Sequence, residues 1–260
     1  MGATIGGRRY NFDWRGFITP GVKLIVLVCT GVFVVQTLVS LLADPLFAYH
    51  HVTQVFGLIP RAVFPGLRVW QPFTYIFLHG DIWHILINML MLWMFGRDLE
   101  VSWGKRRFLN FFFVCGVGAG LIEMAVKLIP QFWGHLPSDI PTIGASGAIF
   151  GILMANAILF PDRKIWLIPL PVTIPMRPYV AVMGAIEFFM TLGSGGDGIG
   201  HLCHLGGMLV AYLYLRRGSF LYSVRNSVTD WKHERNRKRF QVYVNKHKQD
   251  PPSRPDNWVN

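Results

Sequence analysis

Charge is scarce in this chain. Of its 260 residues 15% are charged, where an ordinary soluble domain carries about 25%, and acids are the scarcer sign, with 14 Asp and Glu against 25 Lys and Arg. So few ionised groups beside 52% hydrophobic residues exclude a typical water-soluble enzyme and point to membrane. Cysteine is also rare. Cys29, Cys115 and Cys203 all fall in apolar stretches, which argues against a disulfide framework and leaves them as small packing residues. The first residues show no short apolar core followed by a small-residue cleavage site, so no removable signal peptide is expected. Internal repeats and low-complexity segments are missing, and none of the nine histidines belongs to a His-Glu-x-x-His pattern. A zinc peptidase is thereby disfavoured, and neither metal nor organic cofactor is expected.

Long apolar runs are what the chain has in their place. Leu24–Leu42, Ile140–Phe160 and Gly198–Leu215 approach or exceed the ~18 residues that a spanning helix needs. Weaker runs at Ile82–Gly96, Phe108–Ile122 and Pro178–Leu192 become long enough if a buried polar residue is tolerated at their ends. The expectation is an all-α membrane protein with six transmembrane helices, its membrane domain covering 21–217 between a basic lead, 1–20, and a basic tail, 218–260. The tail, ending in Asp250-Pro251-Pro252-Ser253-Arg254-Pro255, reads as disordered or lying on anionic lipid. Between the first two runs, Ala43–Leu78 is aromatic and broken by Pro45, Pro60, Pro65 and Pro72. It is too greasy for open solvent and too proline-rich for a span, so short helical pieces in the membrane interface are expected.

A net charge of +11 would suit nucleic acid, yet no recognition motif supports that partner. The placement of the bases fits a bilayer better. Arg8, Arg9 and Arg15 precede the first run, Arg97 and Lys105 to Arg107 follow the second, Arg163, Lys164 and Arg177 follow the fourth, and a basic series begins at Arg216. The opposite side carries only Arg61, Arg68 and Lys127. By the positive-inside rule both termini are cytoplasmic.

Chemistry concentrates in three places. Gly144-Ala145-Ser146-Gly147, with Gly151 four further on, sets a serine among small residues; alone, such a segment reads as a helix-packing face. His201 and His204 lie in the last run, followed by Gly207 and Ala211, and a histidine within a span is a functional hypothesis by default. His84 and Asn88 are four apart on one helical face, where they can act as donors to the oxyanion of peptide hydrolysis, each contributing ~3–4 kcal/mol. At ~1.5 Å per residue, Ser146 lies ~22 Å from the basic side, His84 ~20 Å and His204 ~18 Å, so the groups can meet. Serine needs a base, and neutral imidazole suits the task near pH 7. His201, at ~22 Å, matches Ser146 better in depth, but long side chains lean toward their helix's N-terminus, which raises His204 toward the serine and carries His201 past it. Asp197 lies ~10 Å along the axis from His204, too far for a direct bond in a regular helix. Neither it nor Glu123 or Glu187, expected to be satisfied by neighbouring helices, is expected to complete a triad. Glu100, near Arg97 and Ser102, reads as structural.

Gly144-Ala145-Ser146-Gly147, His204-Leu205-Gly206-Gly207, the His79/His84/Asn88 spacing and Gly96-Arg97-Asp98-Leu99-Glu100 together resemble the rhomboid intramembrane serine proteases, through about Phe56–Arg217. The resemblance implies a six-helix bundle and a catalytic dyad of Ser146 and His204. It also implies oxyanion stabilisation by His84, Asn88 and the backbone at Gly144 and Ser146, with Phe150 and Gly207 in support. Its implied substrates are transmembrane segments of other membrane proteins, cut where helix-weakening residues let the chain unwind. Two departures stand out: Trp70-Gln71 replaces the Trp-Arg of some members, and Phe150 stands where a tyrosine often packs on the histidine. A non-catalytic helix-binding relative would share the fold but has no need of both Ser146 and His204. A small transporter would more often show two related halves, which are absent here.

Overall fold

The computed structural model describes residues 3–5, 8–10, 18–42, 45–129, 140–166, 172–193 and 200–216, the first two stretches and 45–50 by their backbone alone. Asp197 and the tail 218–260 lie outside them. Contacts divide the chain into two compact units, Met1–Leu213 and Tyr214–Asn260; of the second, 214–216 are described, and these are helical.

Each expected apolar run contains a helix. A small hairpin of β1 (Ala3–Ile5) and β2 (Arg8–Tyr10) comes first, then α1 (Pro20–Leu42). The proline-broken connection folds as short pieces, as its composition suggested: α2 (Pro45–Phe56), α3 (Pro60–Val63) and α4 (Gln71–Thr74), which runs into a 3-10 turn at Tyr75–Phe77. α5 (Ile82–Met91) passes through a π turn, Leu92–Gly96, into α6 (Arg97–Trp103). After α7 (Lys105–Leu128) and α8 (Ser146–Leu159), a second hairpin, β3 (Lys164–Trp166) with β4 (Thr173–Pro175), leads to α9 (Met176–Gly193). Residues 201–216 form α10.

Among the described residues, α1 (23 residues, mean hydropathy 2.5) and α7 (24 residues, 1.8) are long and apolar enough to cross a membrane. A third span is counted if Gln71–Phe77 and Ile82–Trp103, bent by 94°, form one broken crossing. The expected span Ile140–Phe160 needs correction, because its helix starts only at Ser146. Leu58 and Thr142 pair as an isolated antiparallel bridge, and Gly144 sits at φ 121°, so 140–143 is non-helical and the chain bends at Gly144 and Ala145 before the helix.

Polarity is inverted relative to a soluble domain. Leu27, Val35, Leu41, Trp83, Phe189 and Leu192 are exposed, an apolar exterior too extensive for water and suited to acyl chains. The core combines Phe95, Phe108, Phe111 and Phe112 with polar groups that tie helices together. Buried Glu100 accepts from the Gly21 and Val22 N–H groups at 2.6 and 2.8 Å, so α6 caps the unsatisfied first turn of α1. Gln36 of α1 bonds both backbone groups of His79. Asn156 of α8 donates to the Phe95 carbonyl inside the π turn, where the regular helical ladder is interrupted. Glu123 Oε1 pairs with Lys127 of its own helix and accepts from Thr142, while its buried Oε2 makes no hydrogen bond.

Gln71 anchors the connection. Its buried amide accepts from Ile59 N–H and donates to the Gln54 carbonyl, while Trp70 Nε1 and Arg68 donate to the Val55 and Gln54 carbonyls. The departure noted at Trp70-Gln71 thus leaves the segment well tethered by other groups.

Candidate active site

Ser146 occupies the first position of α8 because Gly144, in a backbone region that only glycine adopts freely, turns the chain from extended strand into helix. A first-turn N–H has no intrahelical acceptor, so the Ser146 amide is free of the helical ladder and sits at the positive end of the helix dipole. The expectation for Gly144 needs correction here: its N–H donates to the Tyr75 carbonyl at 2.9 Å. That N–H is committed to holding the turn.

His204 reaches the serine from α10. Its Nε2 lies 2.7 Å from Ser146 Oγ, and Phe150, one turn beyond Ser146, stacks on the imidazole with centroids 4.3 Å apart and planes 8° from parallel. A Cβ at Gly207 would collide with the Gly147 carbonyl, so only glycine there lets α10 approach α8 this closely. His201 does not meet the serine. Its Nδ1 lies 2.7 Å from Glu187 Oε2 on α9.

No triad was expected at His204, yet a carboxylate lies close to it. Glu187 Oε2 lies 2.9 Å from His204 Nδ1, an approach oblique to the ring N–H and less well aligned than its bond to His201. Glu187 is satisfied by a neighbouring helix as expected, through its bond to His201, and the same oxygen lies close to the residue read as the base. An ionisable residue inside an apolar run was the available signal. What the sequence could not supply was the register between α9 and α10 across 194–200.

On α5, Asp81 caps the helix by accepting from the Trp83 and His84 N–H groups at 2.8 and 2.9 Å. Gly80 N–H donates to His84 Nδ1 at 3.3 Å, which leaves the neutral ring's proton on Nε2. That nitrogen faces Gly144, 2.7 Å from where its Cβ would stand. Asn88 is buried and donates one amide hydrogen to the His84 carbonyl at 2.7 Å; its second is not used by that bond. Both residues, with Ser146, His204, Thr53 and Met183, line a cavity of about 970 Å³. Tyr75 and Cys203 line it too; Tyr75 Oη donates to the Gly116 carbonyl at 2.6 Å and lies 3.3 Å from Cys203 Sγ.

A serine–imidazole pair, a ring N–H and a helix N-terminus thus share one cavity, the set of groups that acyl transfer uses. A family model described as the Rhomboid domain matches residues 66–218. Similar proteins include Rhomboid protein 1, mitochondrial, of Saccharomyces cerevisiae, 31% identical over 143 residues, 53% of this chain and 38% of that protein. Rhomboid-like protease 3 of Toxoplasma gondii is 22% identical over 210 residues, 78% of this chain and 73% of its own length. Presenilin-associated rhomboid-like protein, mitochondrial, of Rattus norvegicus is 27% identical over 148 residues, 55% and 36% of the two chains. The match therefore spans less than half the length of the yeast and rat relatives.

Proposed function

Because the chain belongs to the rhomboid family of integral membrane proteins, we propose that it is an intramembrane serine endopeptidase with Ser146 as nucleophile and His204 as base. The observation that carries this reading is the 2.7 Å contact of His204 Nε2 with Ser146 Oγ, inside a cavity roomy enough for an unwound peptide. Ser146 Oγ attacks the scissile carbonyl as its proton passes to His204 Nε2. The oxyanion forms beside the Ser146 N–H, the His84 Nε2–H and the Asn88 amide. Its collapse expels the amine, which takes the proton from His204, and leaves an acyl-enzyme on Ser146. Water, deprotonated by the same imidazole, then releases the acid.

The six helices α1, α5–α6, α7, α8, α9 and α10 serve as six crossings between the basic lead and the basic tail, with both termini on the cytoplasmic side where Arg97, Lys105, Arg163 and Lys164 gather. Ser146 then lies in the outer half of the bilayer, and the substrates are transmembrane segments of other proteins. Backbone hydrogen bonds hide a helix's peptide bonds, so segments with glycine or other helix-weakening residues at the cut are preferred.

The test is a serine-directed fluorophosphonate applied to the purified chain in proteoliposomes beside cleavage of a model transmembrane peptide. Labelling at Ser146 with cleavage is expected. An unlabelled serine in a folded chain removes the reading and leaves a helix-binding relative in its place.

A further inference from the structure

We propose that Glu187 is a positioning residue for His204, so that the site operates as a Ser146–His204–Glu187 triad with His201 holding the carboxylate; this rests on the dyad proposed above. Glu187 enters from α9, 7% exposed, and its Oε2 lies 2.7 Å from His201 Nδ1 and 2.9 Å from His204 Nδ1. The two imidazoles stand nearly perpendicular, at 89°. One oxygen therefore lies within 2.9 Å of both Nδ1 atoms, hydrogen-bonded to His201 and close to His204 without an aligned bond, while the Nε2 of His204 is turned to the nucleophile.

The chemistry follows from the two ring nitrogens. A neutral imidazole carries one proton, and only the Nδ1–H form presents a lone pair at Nε2 to accept from Ser146. A carboxylate at Nδ1 selects that form. It also opposes the positive charge that His204 acquires when the serine proton arrives, and stays ionised itself. Phe150 restrains the ring's tilt by stacking on its face, but a stacked ring can still rotate in its own plane; the contact at Nδ1 opposes that motion. The resting contact is oblique and makes no hydrogen bond, whereas the one to His201 does. Hydrogen bonds of this kind commonly tighten only as the reaction proceeds.

Glu187, His201 and His204 also form the donor set of a metal site, but the spacing disfavours one. Ligands around a tetrahedral zinc at 2.0–2.1 Å stand ~3.3 Å apart, whereas these atoms lie 2.7 and 2.9 Å apart across the carboxylate. That is hydrogen-bond spacing.

The experiment compares Glu187→Gln, Glu187→Leu and the unsubstituted full chain in proteoliposomes, measuring kcat and KM for a transmembrane peptide with melting temperature as a control. Losing the acidic member of a serine triad costs about 10⁴-fold, and with Phe150 still holding the ring the expected loss in kcat is about 10²- to 10³-fold, at KM within about threefold. A purely structural glutamate would lower the melting temperature with kcat per folded molecule kept, and kcat within threefold of the parent in both variants overturns the proposal. Nitrogen-15 NMR of His204 in the unsubstituted chain provides a readout that no variant's folding can spoil. The Nδ1–H tautomer is expected, and the Nε2–H tautomer overturns the proposal. Failure of the underlying dyad is distinguishable, because it would appear as an unlabelled Ser146 in the unsubstituted chain.

Discussion

Ser146→Ala removes one hydroxyl from the first turn of α8 and leaves the helix its better former. Cleavage is expected to fall below about a hundredth of the parent's, since loss of a nucleophile costs far more than that, while expression and melting temperature stay nearly unchanged. His204→Ala should match it. His201→Ala should keep substantial activity, within about tenfold of the parent, because its ring reaches Glu187 and not the serine; peptide cleavage by the three variants side by side decides the order. His84→Ala and Asn88→Ala each remove a donor, and a drop in turnover of ~10²-fold or less is expected for either. If Asn88→Ala melts early instead, its bond to the His84 carbonyl is what matters, and it leaves the oxyanion proposal. At this scale the sequence was informative about residue types and poor about directions. Helical spacing brought His84 and Asn88 to one face and side-chain lean favoured His204 over His201. Periodicity carries no information on whether the Gly144 N–H turns to a cavity or to the Tyr75 carbonyl, because that depends on a residue 69 positions away.

Between elements, the contact of α8 with α10 is the tolerance-limited one. Gly207→Ala places a methyl against the Gly147 carbonyl, so α10 must shift outward. Hydrogen-bonding range between His204 and Ser146 is lost with less than 1 Å of added separation. Activity is expected to fall by ~10²-fold, with fluorophosphonate labelling of Ser146 slowed in parallel; unchanged labelling would mean that the helices tolerate the methyl. Apolar runs made the helices inside them legible, because hydrophobic length is a property of the sequence alone. The late start of α8 was less so. Residues 140–145 are as apolar as a helix, but the bridge of Thr142 to Leu58 is a tertiary pairing, and such pairings override local preference. Which residues Glu187 would meet was not legible for the same reason: they lie on another helix, across a connection whose length says nothing about rotation.

For the whole molecule, the asymmetry of Lys and Arg predicts orientation. A reporter enzyme that works only in the cytoplasm, fused after Asn260, is expected to be active, and activity confined to the outer side would invert the topology and the side on which substrates are cut. The family match starts at residue 66, which invites trimming the chain to that part for expression. The cap between α6 and α1 argues against doing so. Without α1, Glu100 would lose both N–H donors that it accepts from, and His79, beside the site, would lose its Gln36 brace. The smallest fragment that keeps these ties therefore begins no later than Thr19, well upstream of the start of the family match, and directed-evolution libraries or crystallisation screens built on a shorter piece would sample a protein that has lost one of its own walls.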